Sequence, residues 1–204
     1  MTYIASRLYA GSSSRSPQES SDMVKQELVP QLTNAGGLLR YITLETKDGR
    51  VGSFSAYETK AAAEVARKIA TEWMNGTGAM SGYKLSESYE GDLIASVSGK
   101  AELQAGAAGI IRIYDTDASD EDLRAAMEET KQAVESVPGL IRFNLVRLST
   151  GAAATFSSFD TLEHATQLTQ VAKNSRNVAG SRMRKVFPKD PEQIDVTLVD
   201  ILTA

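Results

Sequence analysis

The chain has 204 residues, of which 42% are hydrophobic, so it is long enough to bury a sizeable core in one or two domains. Its 22 basic and 26 acidic residues leave a net charge of −4, which argues against a basic surface for nucleic acid. The absence of cysteine excludes disulfides, thiolate catalysis and cysteine-ligated metal, and is typical of a reducing compartment.

The N-terminal sequence MTYIASRLYAG has the alternation and residue types of a strand, which we predict over residues 3–10. It lacks the basic segment and apolar stretch of a signal peptide. No apolar run in the chain approaches the roughly 18 residues that a membrane span needs. We therefore expect a cytoplasmic protein whose partners include neither nucleic acid nor a membrane.

A helix is expected next, because the stretch Ser16-Pro17-Gln18-Glu19 forms a capping box with proline at the first helical position. Apolar residues then recur at helical spacing at Val24, Leu28 and Leu32. Pro30 falls inside this pattern and should bend the helix or end it early.

Two strands, a second helix and a last strand follow. The strands meet at Asp48-Gly49, where glycine supplies the positive φ of a tight hairpin. Thr59 is a natural N-cap for a helix that runs to about Trp73, and the last strand is expected at about 81–98. The resulting order, βαββαβ, is that of a ferredoxin-like unit.

The same pattern occurs a second time. Residues 37–78 align with residues 139–180 without a gap, and 11 of these 42 pairs are identical, where composition alone would give about three. The second copy has its first strand at 109–115 and its last at about 183–201. We predict two domains, residues 1–100 and 101–204, joined by the segment 98–109.

The strands of the second copy carry large apolar residues on both faces. Leu140, Val146 and Leu148 lie on one face of the strand, and Ile141, Phe143 and Leu145 lie on the other. A sheet that has helices on one face therefore needs a cover on the other, and the sheet of the other copy could supply it. The predicted fold class is α+β: two tandem ferredoxin-like βαββαβ repeats that pack sheet to sheet as an intrachain pseudo-twofold α+β barrel.

The stretch LLRYITLETKDGRVGSFSAYETKAAAEVARKIATEWM resembles the antibiotic biosynthesis monooxygenase (ABM) type of dimeric α+β barrel domain. It shares the strand with glycine, arginine and an aromatic residue, the Asp-Gly hairpin and the alanine-rich helix that ends on tryptophan. The resemblance implies that this chain is a fused form of a barrel that two domains normally build as a homodimer. It also implies a fold whose quinone-forming members hold a phenolic substrate and use neither metal nor flavin.

In an ABM-like pocket, we expect Trp73, Arg40, Tyr41 and Asn75 to be the candidate catalytic residues. The alternative is that Trp73 belongs to the ordinary core under its helix. The second copy has phenylalanine and serine at the positions that match Tyr41 and Trp73, so any site should be asymmetric.

Arginines inside apolar strands are candidates for binding a ligand. Leu8 and Ile113 are expected to face the helices, which would turn their strand neighbours into the barrel interior. A buried guanidinium requires an anion, either a carboxylate, phenolate or enolate ligand, or a protein acid such as Glu45, Glu58, Glu87 or Asp160. The predicted ligand-binding set is Arg7, Tyr9, Arg112, Tyr114 and Arg142.

Metal and haem chemistry have little support in the sequence. His164 is the one histidine, and its place on a polar first helical turn is typical of a solvated residue. The haem-degrading relatives of the fold place asparagine, tryptophan and histidine in one pocket, whereas this chain has no histidine in the copy that contains Trp73. We expect no metal site and no cofactor.

Three functions are consistent with these residues. The first is a cofactor-independent monooxygenase that acts on a small aromatic or polyketide-like molecule. The second is a non-catalytic barrel that binds a small molecule or is associated with stress, and the third is a structural protein whose lumen is filled by its own side chains. A homodimer of fused barrels is also compatible with the sequence.

Overall fold

A computed structural model describes residues 1–13 and 15–202. In these residues, eight strands and six helices follow one another in the order β1 Tyr3–Gly11, α1 Pro17–Met23, α2 Val29–Ala35, β2 Leu38–Thr46, β3 Val51–Tyr57, α3 Lys60–Thr77, β4 Tyr83–Ser98, β5 Ala108–Tyr114, α4 Asp120–Glu135, β6 Leu140–Leu148, β7 Ala153–Phe159, α5 Leu162–Asn177, α6 Arg182–Val186 and β8 Glu192–Leu202. A π-helical turn, Val24–Leu28, connects α1 and α2. No described helix is both long enough and apolar enough to cross a membrane.

The strands form one closed, hydrogen-bonded ring in the order β1-β3-β2-β8-β5-β7-β6-β4. This α+β barrel confirms the fold class expected from the sequence. The same strand irregularity occurs twice, between Leu38 and Arg40 in β2 and between Leu140 and Arg142 in β6. These two positions are equivalent in the sequence alignment of the copies.

The chain divides into two compact units whose boundaries fall inside strands. Unit 1 contains Met1–Asp92 and the chain from Thr197 onward, and unit 2 contains Leu93–Val196. Strands β4 and β8 therefore each contribute residues to both units. Each unit has its own buried core between helices and sheet.

In unit 1, the first helix begins where the sequence indicates. The Ser16 hydroxyl accepts a hydrogen bond from the Glu19 amide, and the Glu19 carboxylate accepts one in return from the Ser16 amide. Pro30 does not end the helical segment, which continues to Ala35. The wider π-helical turn lies directly before Pro30, where an α-helix would otherwise place the proline ring against the carbonyl of Gln26.

The Asp48-Gly49 hairpin of unit 1 also agrees with the prediction. Gly49 has a φ of 83°, in the left-handed region that glycine adopts most readily, and its amide donates to the Thr46 carbonyl at 2.9 Å. Thr59 caps α3 by accepting a hydrogen bond from the Ala62 amide.

In unit 2, the Ser119 side chain caps α4 and the Thr161 side chain caps α5, as predicted. The last strand differs from the prediction, which placed its start at about 183. That segment is instead the short helix α6, and β8 begins at Glu192. The sequence RMRKV of α6 is a good helix former, and Ser181 caps its first turn, so local propensity explains the difference.

The prediction of which strand face meets the helices is wrong. Tyr3 and Ala5 pack in one cluster with Leu28, Leu32 and Trp73, so the odd-numbered residues of β1 face the helices. Leu8 is fully buried but lies on the opposite face of the sheet. Arg7 and Tyr9 consequently lie under the helices of unit 1, and Arg112 and Tyr114 lie under those of unit 2.

Candidate functional site

The candidate site of unit 1 is a cavity between the sheet and its helices. The strand register brings Arg7 of β1 opposite Ser53 of β3, which in turn lies opposite Thr43 of β2. Tyr9, Tyr41 and Tyr57 line the same cavity. Together these six side chains, Arg7, Tyr9, Tyr41, Thr43, Ser53 and Tyr57, form a polar floor on a sheet whose other neighbours are apolar.

The roof of the cavity comes from the helices. Val24 and Leu28 of the π-helical turn, Leu32 of α2, and Trp73 and Met74 of α3 line its upper side. Helical spacing places these side chains on the faces of their helices that point to the sheet. The cavity volume is about 70 Å³, room for only a few water molecules.

Arg7 carries the positive charge of this cavity. Its side chain is 15% exposed, and its Nη2 atom lies 3.7 Å from the Glu90 carboxylate. Glu90 also lies 3.5 Å from Arg67, which does not line the cavity. A single carboxylate shared between two arginines at these distances neutralises Arg7 only in part.

The tyrosines of the floor are held as neutral phenols. Burial raises the pKa of Tyr41 well above its ordinary value, and the adjacent Ser53 hydroxyl opposes this only in part. Burial likewise raises the pKa of Tyr9 and of Tyr57, with the Arg7 charge acting in the opposite direction. At neutral pH these hydroxyls can therefore donate hydrogen bonds to an oxyanion.

Two serines of α1 extend the polar surface. The Ser21 hydroxyl lies 2.7 Å from that of Thr43, and both residues are buried. This hydrogen bond fastens α1 to β2. Ser20 also lines the cavity, and its buried hydroxyl has no hydrogen-bond partner among the described residues, so it is available to a ligand.

Trp73 combines the two roles that the sequence left open. It is 6% exposed and belongs to the core cluster, and its ring also lines the cavity. Its indole nitrogen donates a 3.0 Å hydrogen bond to the Glu27 carboxylate of the π-helical turn. Trp73 thus connects α3 to the segment that covers the floor.

The other candidate residues lie outside both cavities. Arg40 is a strand neighbour of Tyr41 and therefore points to the other face of β2. Asn75 is exposed on α3, and Arg142 is half-buried next to Phe143 on β6. The structure therefore brings together Tyr41 and Trp73 of the catalytic set, and Arg7 and Tyr9 of the ligand-binding set.

Sequence reasoning missed Ser20, Ser21, Thr43, Ser53 and Tyr57. The signal for the serines was weak: two small polar residues one turn after the helix start, where serine is common in any case. Thr43 and Ser53 were detectable only as small polar residues on apolar strands.

No carboxylate or histidine lines the unit 1 cavity in the described part of the chain. Two acids contact residues that line the cavity: Glu90 is engaged with the two arginines, and Glu27 accepts a hydrogen bond from the Trp73 indole. His164 lies in unit 2, where its Nδ1 atom is 2.7 Å from Asp160 Oδ1 and the pair is partly exposed. The cavity can bind and polarise an oxyanion, but it offers no conventional general base.

The matching region of unit 2 is smaller and less polar. Arg112 and Tyr114 line an enclosed space of about 30 Å³, and Phe143 occupies the position that Tyr41 holds in unit 1. Ser175 lines it at the position that matches Trp73. The two cavities are thus unlike in size and chemistry, as the sequence differences indicated.

Comparison with known proteins identifies the fold and leaves the activity open. No protein-family model matches the chain, and no curated protein matches it. Solved structures do match over nearly the whole length. A proposed monooxygenase from Fusobacterium nucleatum superposes with a TM-score of 0.71 at 10% sequence identity, covering 99% of this chain and 94% of the other.

Two further structures extend the comparison. An anthrone oxidase-like protein matches with a TM-score of 0.63 at 12% identity, covering 100% of this chain and 93% of the other. A chlorite dismutase variant from Candidatus Nitrospira defluvii, in complex with cyanide, matches with a TM-score of 0.66 at 14% identity, covering 97% and 90%. At these identities the likeness shows a shared α+β barrel fold and nothing about chemistry.

Proposed function

We propose that the chain is a cytoplasmic, cofactor-independent oxygenase of the ABM type that acts on a small aromatic or polyketide-like molecule in the unit 1 cavity. The observation that supports this most is the polar floor: an incompletely neutralised Arg7 beside three neutral tyrosine hydroxyls, under an apolar roof. Two of the structural neighbours bear names of the same kind, a monooxygenase and an anthrone oxidase-like protein.

The proposed chemistry starts with ionisation of the substrate. Without a general base, the floor must lower the pKa of a bound phenol or enol by stabilising its anion, and the proton leaves through water. The Arg7 charge and the Tyr9 and Tyr41 hydroxyls serve this role, because preorganised donors in a dry site favour developing negative charge.

The anion is then the reductant of oxygen. It donates one electron to O2, the resulting radicals combine to a peroxide at the substrate carbon, and loss of water leaves a carbonyl. In total, a CH2 group and O2 become C=O and H2O, so no external electron donor is required.

The cavity volume requires that the roof moves before an aromatic substrate binds. Pockets for ligands of this size usually hold about 300 Å³ or more, several times the 70 Å³ of the closed cavity. The α1–α2 segment, held by Ser21 and by the Trp73–Glu27 hydrogen bond, is the part of the roof that we propose opens.

A second function is supported by the same small volume and by the missing base. In this alternative the chain is a non-catalytic barrel that binds a small molecule, or a stress-associated protein, and Arg7 holds an anionic group without further reaction. Either function is compatible with a homodimer of fused barrels, which light scattering at several protein concentrations would detect.

The test compares two arginines that share one carboxylate. Oxygen uptake is measured with anthrone-like and hydroquinone substrates for the wild type, Arg7→Gln and Arg67→Gln. Both substitutions remove a partner of Glu90, but only Arg7 reaches the cavity. We expect Arg7→Gln to lower kcat/KM by about 100-fold and Arg67→Gln to leave it within about threefold.

Other results discriminate between the two functions. Equal losses in both variants would mean that the Glu90 network, and not the cavity charge, matters. Absence of uptake by the wild type with every substrate, together with saturable binding of a hydroquinone that Arg7→Gln abolishes, would establish the binding function instead.

A further inference from the structure

The unit 2 cavity contains a buried cation whose charge no described carboxylate balances directly. Arg112 is 2% exposed. Its Nε atom donates to the Gln193 side-chain oxygen at 3.0 Å, and its Nη2 atom donates to the Thr169 hydroxyl at 2.6 Å. Both acceptors are neutral, and in the described residues Arg112 forms no ion pair, in contrast to Arg7 of unit 1.

Among the residues that the structure describes, a carboxylate reaches Arg112 only through an amide. The Gln193 amide nitrogen donates to Asp195 at 2.8 Å, which places the nearest compensating charge one side chain away. Burial lowers the pKa of Arg112, while the surrounding Tyr114 and Asp195 act in the opposite direction. The side chain nevertheless remains a guanidinium at neutral pH, so its burial is unfavourable until an acceptor of opposite charge lies nearby.

An unpartnered hydroxyl lies on the same cavity wall. Thr155 is directly opposite Arg112 in the β5–β7 pairing and is 3% exposed. Its hydroxyl has no partner of normal hydrogen-bond geometry among the described residues, and only the Tyr114 hydroxyl is near enough for a weak hydrogen bond, which opposes part of the rise in the Tyr114 pKa. Burial raises the pKa of Tyr114, so this phenol is neutral and also able to donate.

We propose that unit 2 binds one small monovalent anion, of the size of bromide, chloride or formate, between Arg112, Thr155 and Tyr114. The cavity volume of about 30 Å³ suits one such ion. The remaining walls, which include Leu123, Met127, Phe143 and Leu168, are apolar and cannot replace the hydration of a larger or doubly charged anion. Sulfate and phosphate are therefore excluded.

This inference is independent of the activity proposed for unit 1. Its ligand occupies a cavity in which phenylalanine and serine replace the tyrosine and tryptophan of the other unit. An anion there would stabilise unit 2 without taking part in oxygen chemistry.

The experiment measures thermal stability of the full chain at constant ionic strength while sodium gluconate is replaced by sodium bromide, chloride or formate. Binding to the folded state alone raises Tm with the logarithm of the anion concentration once this exceeds Kd, and by about 4 °C at a tenfold excess of anion over Kd. We expect this rise for the wild type and for Arg142→Met. Arg142 belongs to the same unit but lies outside the cavity, so this variant is a matched control for the loss of one arginine. We expect Arg112→Met to abolish it.

Thr155→Val keeps the test decisive if Arg112→Met does not fold, because it preserves both shape and charge. It should weaken bromide binding about fivefold to tenfold. Crystals grown in bromide should show an anomalous peak beside the Arg112 guanidinium. A rise with formate but not with halides would identify the anion as a carboxylate within the same proposal.

Three results would overturn the inference: no Tm dependence on any of the anions, an equal dependence in wild type and Thr155→Val on the anion that raises Tm, or, if bromide raises Tm, bromide peaks only elsewhere. Each would mean that water or protein dipoles alone satisfy Arg112.

Discussion

Arg7 and Tyr41 show how burial gives ordinary side chains unusual behaviour. Both lie on the helix-covered face of the unit 1 sheet, where apolar neighbours weaken the screening of charge. Tyr41 is 9% exposed and is held neutral, while Arg7 keeps a charge that only a shared carboxylate opposes. The cavity therefore favours an anion of a ligand over ionisation of its own phenols.

The raised pKa of Tyr41 predicts a loss of stability in alkali. The pKa of this phenol is higher in the folded chain than in the unfolded chain, where it is 10.0. Its contribution to stability is therefore complete at pH values below 10.0. The contribution is lost as the pH rises from 10.0 towards the pKa of the folded chain. Above about pH 10, the unfolding free energy of the wild type should fall more steeply with pH than that of Tyr41→Phe, by up to about 1.4 kcal/mol per pH unit.

Urea denaturation between pH 8 and about pH 11 measures this slope. Tyr83→Phe is the control, since Tyr83 lies outside the cavity on β4 and is partly exposed. An identical alkaline slope in the wild type and Tyr41→Phe would contradict the prediction. Unit 2 has phenylalanine, Phe143, at the equivalent register position.

At the scale of elements, the α1–α2 segment contributes to the roof of the unit 1 cavity. Its π-helical turn, Val24–Leu28, accommodates Pro30 and contributes two residues to the cavity roof. A π-helical turn has poorer hydrogen-bond geometry than an α-helix and is frequent at functional sites. Side-chain hydrogen bonds to Thr43 and Trp73 therefore contribute to the position of the segment.

The Ser21–Thr43 hydrogen bond predicts a strongly non-additive pair of substitutions. Thr43→Val leaves the buried Ser21 hydroxyl without a partner and should cost about 1–3 kcal/mol, and Ser21→Ala should cost a similar amount. The double variant removes both polar groups. Its loss of unfolding free energy should therefore be smaller than the sum of the losses of the two single variants. Urea unfolding of the four proteins gives the coupling energy, expected at about 1 kcal/mol or more. Additive losses would show that this contact does not fasten the roof.

At the scale of the whole molecule, the strand order predicts that neither sequence copy is stable as a separate fragment. In the barrel ring β2 is bonded to β8 and β4 is bonded to β6, so a fragment of residues 1–100 lacks a partner for two of its strands. The same holds for β6 and β8 in a fragment of residues 101–204. Unpaired strand edges with apolar side chains promote aggregation.

We therefore expect each fragment alone to aggregate or to remain unfolded, and the two produced together to recover a stable complex. Size-exclusion chromatography and circular dichroism of the separate and the mixed fragments provide the measurement. A well-behaved, monomeric fragment of residues 1–100 would show that the copies are independent domains after all.

Sequence reasoning succeeded where a local pattern decides the structure. The capping box at Ser16, the glycine of the Asp48-Gly49 turn and the caps at Thr59 and Thr161 depend on residues within one turn of each other. It failed at β8, where a locally favourable helix precedes the strand. It also failed to find Ser20 and Ser21, because only the position of α1 over the cavity and its contact with Thr43 of β2 give those serines a role.

The sequence by itself determined the order of the elements apart from the short helix α6, the hairpins and the presence of two similar but unequal copies. It also supplied Arg7, Tyr9, Tyr41 and Trp73 as candidates. Only the tertiary structure decided that these residues share a cavity under the helices, and not in the barrel interior. The physical reason is that both faces of the strands are buried, so alternation separates Leu8 from Tyr9 without revealing which face the helices cover.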